Sequence, residues 1–205
     1  MPLFSLTSCY DYLSEIISEK IVPTNGLNPI EKLPIFVKNS RIKQGLTYTT
    51  FIKSVYDGDT FTDKNGMRFR IFGIDTPELE LSRPNRLINV KTMKFHGLRA
   101  KKRLEQLILN RWISFEIVGH DPYERIIVVL KNEMGEIINI KMVSEGLAIH
   151  RYAQYQNPKK TYYYPEYKNL IDQILKAQET AKKSKFMLWE EDISTIYGLK
   201  NLRKK

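Results

Sequence analysis

The chain has 205 residues, with 33 Lys and Arg against 23 Asp and Glu, a formal charge of +10. A hydrophobic fraction of 42% excludes a mostly disordered chain, and a single cysteine, Cys9, excludes a disulfide framework and a cysteine-based zinc site. The positive excess suits a polyanionic partner such as nucleic acid, acidic lipid or acidic protein, without choosing among them.

At the N-terminus, Ser8 and Asp11 suit a helix start. Tyr10, Leu13, Ile16, Ile17 and Ile21 form one apolar stripe, which predicts a helix over 8–21. Asp11 and Glu15 interrupt the apolar run, so no secretory signal is read here, and an intracellular protein is expected. No run of 18 apolar residues occurs, so no transmembrane segment is expected. Pro23, Asn25-Gly26 and Pro29 then break the chain. Residues 1–45 read as a partly helical extension that docks on the main domain or on a partner.

From Leu46 the pattern becomes strand-like. One strand runs through Phe51–Tyr56 to the turn Asp57-Gly58-Asp59, and a second begins at Thr60. Asp63-Lys64-Asn65-Gly66 predicts a hairpin loop in which Asn-Gly supplies positive φ angles. A third strand is predicted from Met67 to Ile74, ended by Pro77. A long helix is expected over 90–109, with Leu98, Leu104, Leu107 and Ile108 inward. Strands at 112–118 and 125–130 follow, then a short helix over 139–146 with Gly146 closing it. A last helix after Pro165 carries Tyr167, Leu170, Ile171, Ile174, Ala177 and Ala181 on one face. The whole is α+β: a five-stranded OB-type β-barrel with about three helices, over residues 46–195, followed by a basic tail at 196–205.

Two acidic turns stand out. Asp57 and Asp59 follow the first strand, and Asp75 and Glu78 follow the third, so a meander brings both turns to one end of a barrel. Carboxylates gathered there either serve only as turn residues or hold a hard cation, Ca²⁺ or Mg²⁺, since the donors are oxygens. Arg70 lies inside an apolar strand, and Arg125 opens another. Each is either an ion-pair partner or a fork aimed at an anion, and guanidinium matches phosphate with two parallel hydrogen bonds. His96, His120 and His150 have no ligand spacing, and no catalytic role is assigned to them.

The run Asp57-Gly-Asp-Thr60, then Phe69-Arg70, then Ile74-Asp75-Thr-Pro-Glu78, resembles the signature of staphylococcal nuclease-like domains. Asp121-Pro-Tyr123-Glu-Arg125, Val143-Ser-Glu-Gly-Leu-Ala148 and Leu188-Trp189 continue the resemblance in order, over about residues 46–195. It implies a Ca²⁺-dependent nuclease that cleaves DNA and RNA with little sequence preference and leaves 3′-phosphate ends. By position, Asp59 and Asp75 would be the metal carboxylates, and Thr76 would add its backbone carbonyl. Glu78 would be the general base, Arg70 and Arg125 would bind the scissile phosphate, and Asp57 would shape the turn. Tyr123 and Tyr152 match nucleotide-contacting tyrosines. Gln154 stands where a second is expected, and Tyr155 is the substitute. Tyr162, Tyr163 and Tyr164 beside Lys159 and Lys160 suit either base stacking or packing under the loop. Three departures are Glu124 in place of a glycine before Arg125, Pro122 in place of a lysine, and the opposite strand parity of Arg70 and Asp75. A bend at Gly73 is the expected remedy for the last. The alternative is a catalytically silent OB-fold module that binds nucleic acid or protein. A monomer is expected, with a partner docking through residues 1–45 as a further possibility.

Overall fold

The computed structural model describes residue 45, residues 47–199 and, for the backbone alone, residues 28–29. The expected helix at 8–21 and the docking of residues 1–45 lie outside the described residues.

The elements run in the expected order. β1 (Asn28–Pro29) pairs in parallel with β2 (Thr47–Val55). β3 (Thr60–Asp63), β4 (Arg68–Ile71) and the two-residue β5 (Ile74–Asp75) follow. Then come α1 (Val90–Ile108), β6 (Trp112–His120), β7 (Ile126–Lys131), α2 (Ile138–Ser144) and β8 (Ile149–His150). α3 (Lys168–Lys183) and α4 (Ile193–Tyr197) are the last α-helices among the described residues. Strands β2-β3-β4-β7-β6 are neighbours in that order, and β6 pairs back onto β2, which closes a five-stranded barrel. Only β4 and β7 run parallel within the barrel. This is the expected OB-type barrel with helices. Closure leaves no open edge within the barrel.

Alternation fills the interior. Ile52, Phe61, Phe69, Phe115 and Val128 are inaccessible to solvent, and Phe69 packs against both Phe61 and Phe115 with ring centroids 5.1 Å apart. α1 lays Met93, Gly97, Ala100, Leu104 and Ile108 inward. That stripe advances by three and four residues, the helical repeat. Leu98 falls about 100° off it and is 59% exposed, contrary to the expectation that it points inward. A smaller apolar cluster of Met93, Ile149, Leu188 and Ile196 lies apart from the main core.

Three further expectations are corrected. The predicted third strand is two strands. It breaks at Phe72-Gly73, where Gly73 takes φ +72°, and β5 leaves the barrel to pair with β8. In the hairpin only Gly66 takes a positive φ, because Asp63 Oδ1 accepts from the backbone N–H groups of Asn65 and Met67 and shapes the loop itself. α3 is not the last helix: α4 crosses the predicted boundary at 195, and Ile196 is buried, so the first residues assigned to a basic tail belong to the folded unit.

Candidate active site at the barrel mouth

The site begins with a turn. Asp57 Oδ1 accepts from the N–H groups of Asp59 and Thr60, at 2.9 and 2.7 Å, and folds residues 57–60 into a tight loop. Gly58 sits where a Cβ would lie 2.6 Å from the Ala100 side chain and 2.7 Å from Thr76, so only glycine lets this loop touch both α1 and the second acidic turn. Gly97 does the same on α1: a Cβ there would come within 2.7 Å of the Pro77 carbonyl. One helix therefore presses both carboxylate-bearing turns together.

The break at Gly73 removes the parity conflict. Past it, Asp75 turns back toward Arg70, whose guanidinium spans two carboxylates: Nη1 bonds Asp59 Oδ1, and Nη2 bonds Asp75 Oδ1 at 2.7 Å. The other oxygen of Asp59 accepts from the Thr76 N–H at 2.8 Å and the Thr76 hydroxyl at 3.0 Å. The other oxygen of Asp75 accepts from Arg151 Nη1 at 2.9 Å. Tyr197, on α4, donates its hydroxyl to the Asp75 backbone carbonyl at 2.9 Å.

These groups are largely buried, with Asp59 1% and Asp75 6% exposed. Burial pushes both carboxyls above the usual range, with Arg70 opposing it in each. At Asp75 the neighbouring Asp59 adds to the rise. Burial alone would lower the Arg70 pKa, and the two aspartates override it and raise it. Glu78 reaches solvent on one side. The protein crowding its other side raises its pKa, the fields of Asp59 and Asp75 add to the rise, and Arg70 and Arg125 oppose it. Glu78 is therefore within electrostatic reach of both aspartates and both arginines.

Arg125 joins from the opposite side. Its Nη1 donates to the Thr60 hydroxyl at 3.3 Å, and that hydroxyl bonds Asp59. Its Nε is held by Asp121 Oδ2 at 2.6 Å, at the end away from the Nη1 that reaches Thr60. Asp121 is held below the usual carboxylate range. Its partial burial works against this, and the Arg125 backbone N–H and guanidinium outweigh it. Glu124, where a glycine was expected, takes φ +64°. The turn demands a left-handed residue, which costs a non-glycine residue roughly 1–2 kcal/mol.

The tyrosines divide. Tyr123 lies on the Arg125 side, 74% exposed, with the guanidinium 5.5 Å from its ring centre. Tyr152 has Arg151 at 4.9 Å and Arg70 at 5.8 Å from its ring centre. Tyr155 is not brought to the mouth. Its hydroxyl donates to Asp172 on α3 at 2.6 Å, and Lys168 sits over its ring, because α3 offers it an anion and a cation one helical turn apart. Tyr162, not Tyr155, packs against Tyr152, with ring centroids 5.2 Å apart. Arg151 and Tyr197 had no signal in the sequence. The first directly precedes the matched tyrosine, but its partner is 76 positions away; the second lies in the stretch read as tail.

Residues 68–191 match the staphylococcal nuclease homologue family, more than half the chain. The chain belongs to that family. No curated protein matches it. Of the positions carried over from the family signature, Asp75, Thr76, Glu78, Arg70, Tyr123, Arg125 and Tyr152 fall inside the match, and Asp59 lies just upstream, bonded to it through Thr76 and Arg70.

Among the described residues no group of three or more His, Cys, Asp or Glu side chains is gathered for a metal ion. The side-chain donors at the mouth are two carboxylates. They fit a hard cation in kind, being oxygens only, and Arg70 and Arg151 bond them as the structure stands.

Proposed function

We propose that this chain is a Ca²⁺-dependent nuclease that hydrolyses phosphodiester bonds of DNA or RNA with little sequence preference. What carries the reading is one connected polar cluster: Arg70 on Asp59 and Asp75, Arg125 reaching it through Thr60, and Glu78 in the field of all four charged groups. Asp59, Asp75 and the Thr76 carbonyl would hold the Ca²⁺, which would supply positive charge beside the reacting phosphate. Arg70 and Arg125 bind the non-bridging oxygens and stabilise the negative charge that grows on them. Glu78, open to solvent and with burial raising its carboxyl above the ordinary value, accepts the proton of the attacking water. In-line attack with the 5′ oxygen leaving gives 3′-phosphate ends. Tyr123 and Tyr152 offer exposed ring faces to bases.

The test is cleavage of plasmid DNA and of RNA by the full chain with Ca²⁺, with and without EGTA. Cleavage with Ca²⁺ and none with EGTA is expected, and Glu78→Gln, Arg70→Lys and Arg125→Lys should each lower turnover by orders of magnitude. Undiminished cleavage by all three variants overturns the mechanism. One observation favours a second reading, a silent OB-fold module: Arg70 and Arg151 together match the charge of the two aspartates, so the network is satisfied as it stands. Nucleic-acid binding without cleavage in that assay would establish it.

A further inference from the structure

Arg151 has no role in the reading above. It directly follows β8, where its backbone N–H donates to the Gly73 carbonyl at 3.0 Å, which fixes the base of the side chain against the turn that carries Asp75. Its guanidinium reaches Asp75 Oδ2 at 2.9 Å. Among the described residues that is its hydrogen bond, and it uses one of five N–H donors. The side chain remains 35% exposed, against 13% for Arg70 on the other oxygen of the same carboxylate. Asp75 thus carries two guanidiniums, one enclosed and one facing water. The enclosed one is shared with Asp59 and stays bonded to Asp75 whether or not the outer one does, so the carboxylate keeps one guanidinium when the outer one leaves.

The surroundings of Arg151 say what the outer guanidinium faces. It stacks over Tyr152, which packs edge-on against Tyr162, and both rings are open to solvent, at 39% and 50%. Tyr152 and Tyr162 both take left-handed backbone angles, φ +58° and +62°, and the Gln154 N–H donates to the Tyr162 carbonyl at 2.8 Å, which pins the two ends of this loop to each other. An exposed guanidinium beside a pair of exposed rings is the combination that holds a nucleotide, with phosphate on the fork and base on the ring.

Resting on the nuclease reading and extending it, we propose that Arg151 is a third phosphate-binding arginine, which leaves Asp75 for the phosphodiester next to the scissile one when a strand lies across Tyr152 and Tyr162. The exchange is of one anion for another at an exposed fork. It also returns one oxygen of Asp75 to the site.

The experiment measures binding of a fluorescein-labelled 12-nucleotide single-stranded DNA to the full chain in EDTA, by anisotropy, over a series of KCl concentrations. For Arg151→Gln the slope of log Kd against log salt should fall by about 0.7, the value for one phosphate contact on a single strand. Arg151→Lys should keep the slope and lose part of the affinity, since the charge stays and the fork goes. An unchanged slope in Arg151→Gln, with a lowered unfolding midpoint, would make Arg151 a clamp on Asp75 alone and overturn the proposal while leaving the nuclease reading intact. No binding by the wild-type chain would overturn the proposal, while the nuclease reading stands or falls on the cleavage assay with Ca²⁺. A reduced slope in a chain that never cleaves would uphold the phosphate contact and reject the nuclease reading.

Discussion

At the barrel mouth Asp59 and Asp75 are buried, Arg70 nearly so, and every one of them is bonded; on α1, three residues past Met93 of the small cluster, His96 is 3% exposed, and neither ring nitrogen has a hydrogen-bond partner among the described residues. Trp189, which packs on that cluster, also buries an unpartnered indole N–H. Both regions exclude water, and both carry polar atoms. The mouth keeps ionised groups and surrounds them with counter-charges. The region around His96 keeps a titratable ring with no hydrogen bond among the described residues, and burial there favours the neutral ring. A network of mutually satisfied charges resists the loss of any one member, whereas an unpartnered histidine makes stability a matter of pH.

The sharpest way to break this contrast is to remove the centre of the network. Arg70→Met leaves two aspartates facing each other without their shared cation, and stability should fall by about 3–5 kcal/mol, as for other buried pairs that lose one partner. Urea unfolding measures it, and millimolar Ca²⁺ should return part of the loss, since a cation then replaces the guanidinium. A loss below about 1 kcal/mol would mean that the aspartates reach water, and the two regions would then differ in degree only.

The second prediction concerns the other region. Burial pushes the His96 pKa below its ordinary 6.5; Glu191 and Glu190 pull it back and Arg99 adds to the lowering. The unfolded chain therefore binds a proton near pH 6.5 that the folded chain refuses. Stability is fully present above 6.5 and falls as pH drops from there toward the folded pKa, with a slope of up to about 1.4 kcal/mol per pH unit for one proton. His150 is lowered by burial as well and contributes in the same sense. His96→Leu should flatten the pH dependence of unfolding below 6.5 by one proton's share, leaving that of His150. An unaltered slope would show that His96 finds water in the folded chain.

How much of this was legible beforehand follows from how far each contact reaches along the chain. The turn at Asp57-Gly58-Asp59 was readable because its hydrogen bonds span two and three residues. The barrel strands were readable because their alternation is local. The meeting of Arg70 with Asp75, five residues apart, was legible only as a parity conflict with Gly73 as its remedy; the break of the strand and the left-handed angle at Gly73 resolve it. The choice between Tyr155 and Tyr162 as the neighbour of Tyr152 depends on Asp172 of α3 capturing the first, which no spacing rule contains. Leu98 was misplaced by a single helical position, because an apolar residue beside an inward stripe looks like part of it.

Tyr197 ties the two regions together. Its helix, α4, supplies Ile196 to the small cluster, and its hydroxyl reaches the Asp75 carbonyl across 122 residues of sequence. Burial and the fields of Asp75 and Asp59 raise its pKa well above 10, so the hydroxyl keeps its proton and donates at every pH the fold survives. Tyr197→Phe keeps the ring and deletes that one bond, and stability should fall by about 1 kcal/mol, the least of the three effects. The loss should be local. β5 is held to β8 by two residue pairs only, so the bond from Tyr197 is a large share of what fixes the turn after it. Amide exchange should therefore quicken at Thr76 and Arg151, whose N–H groups bond Asp59 and the Gly73 carbonyl, and stay unchanged at Phe72, whose N–H bonds Val128 within the barrel. Equal acceleration at all three would mean that α4 supports the whole barrel. Acceleration confined to Thr76 and Arg151 would mean that a helix from the small cluster sets the order of the carboxylate turn.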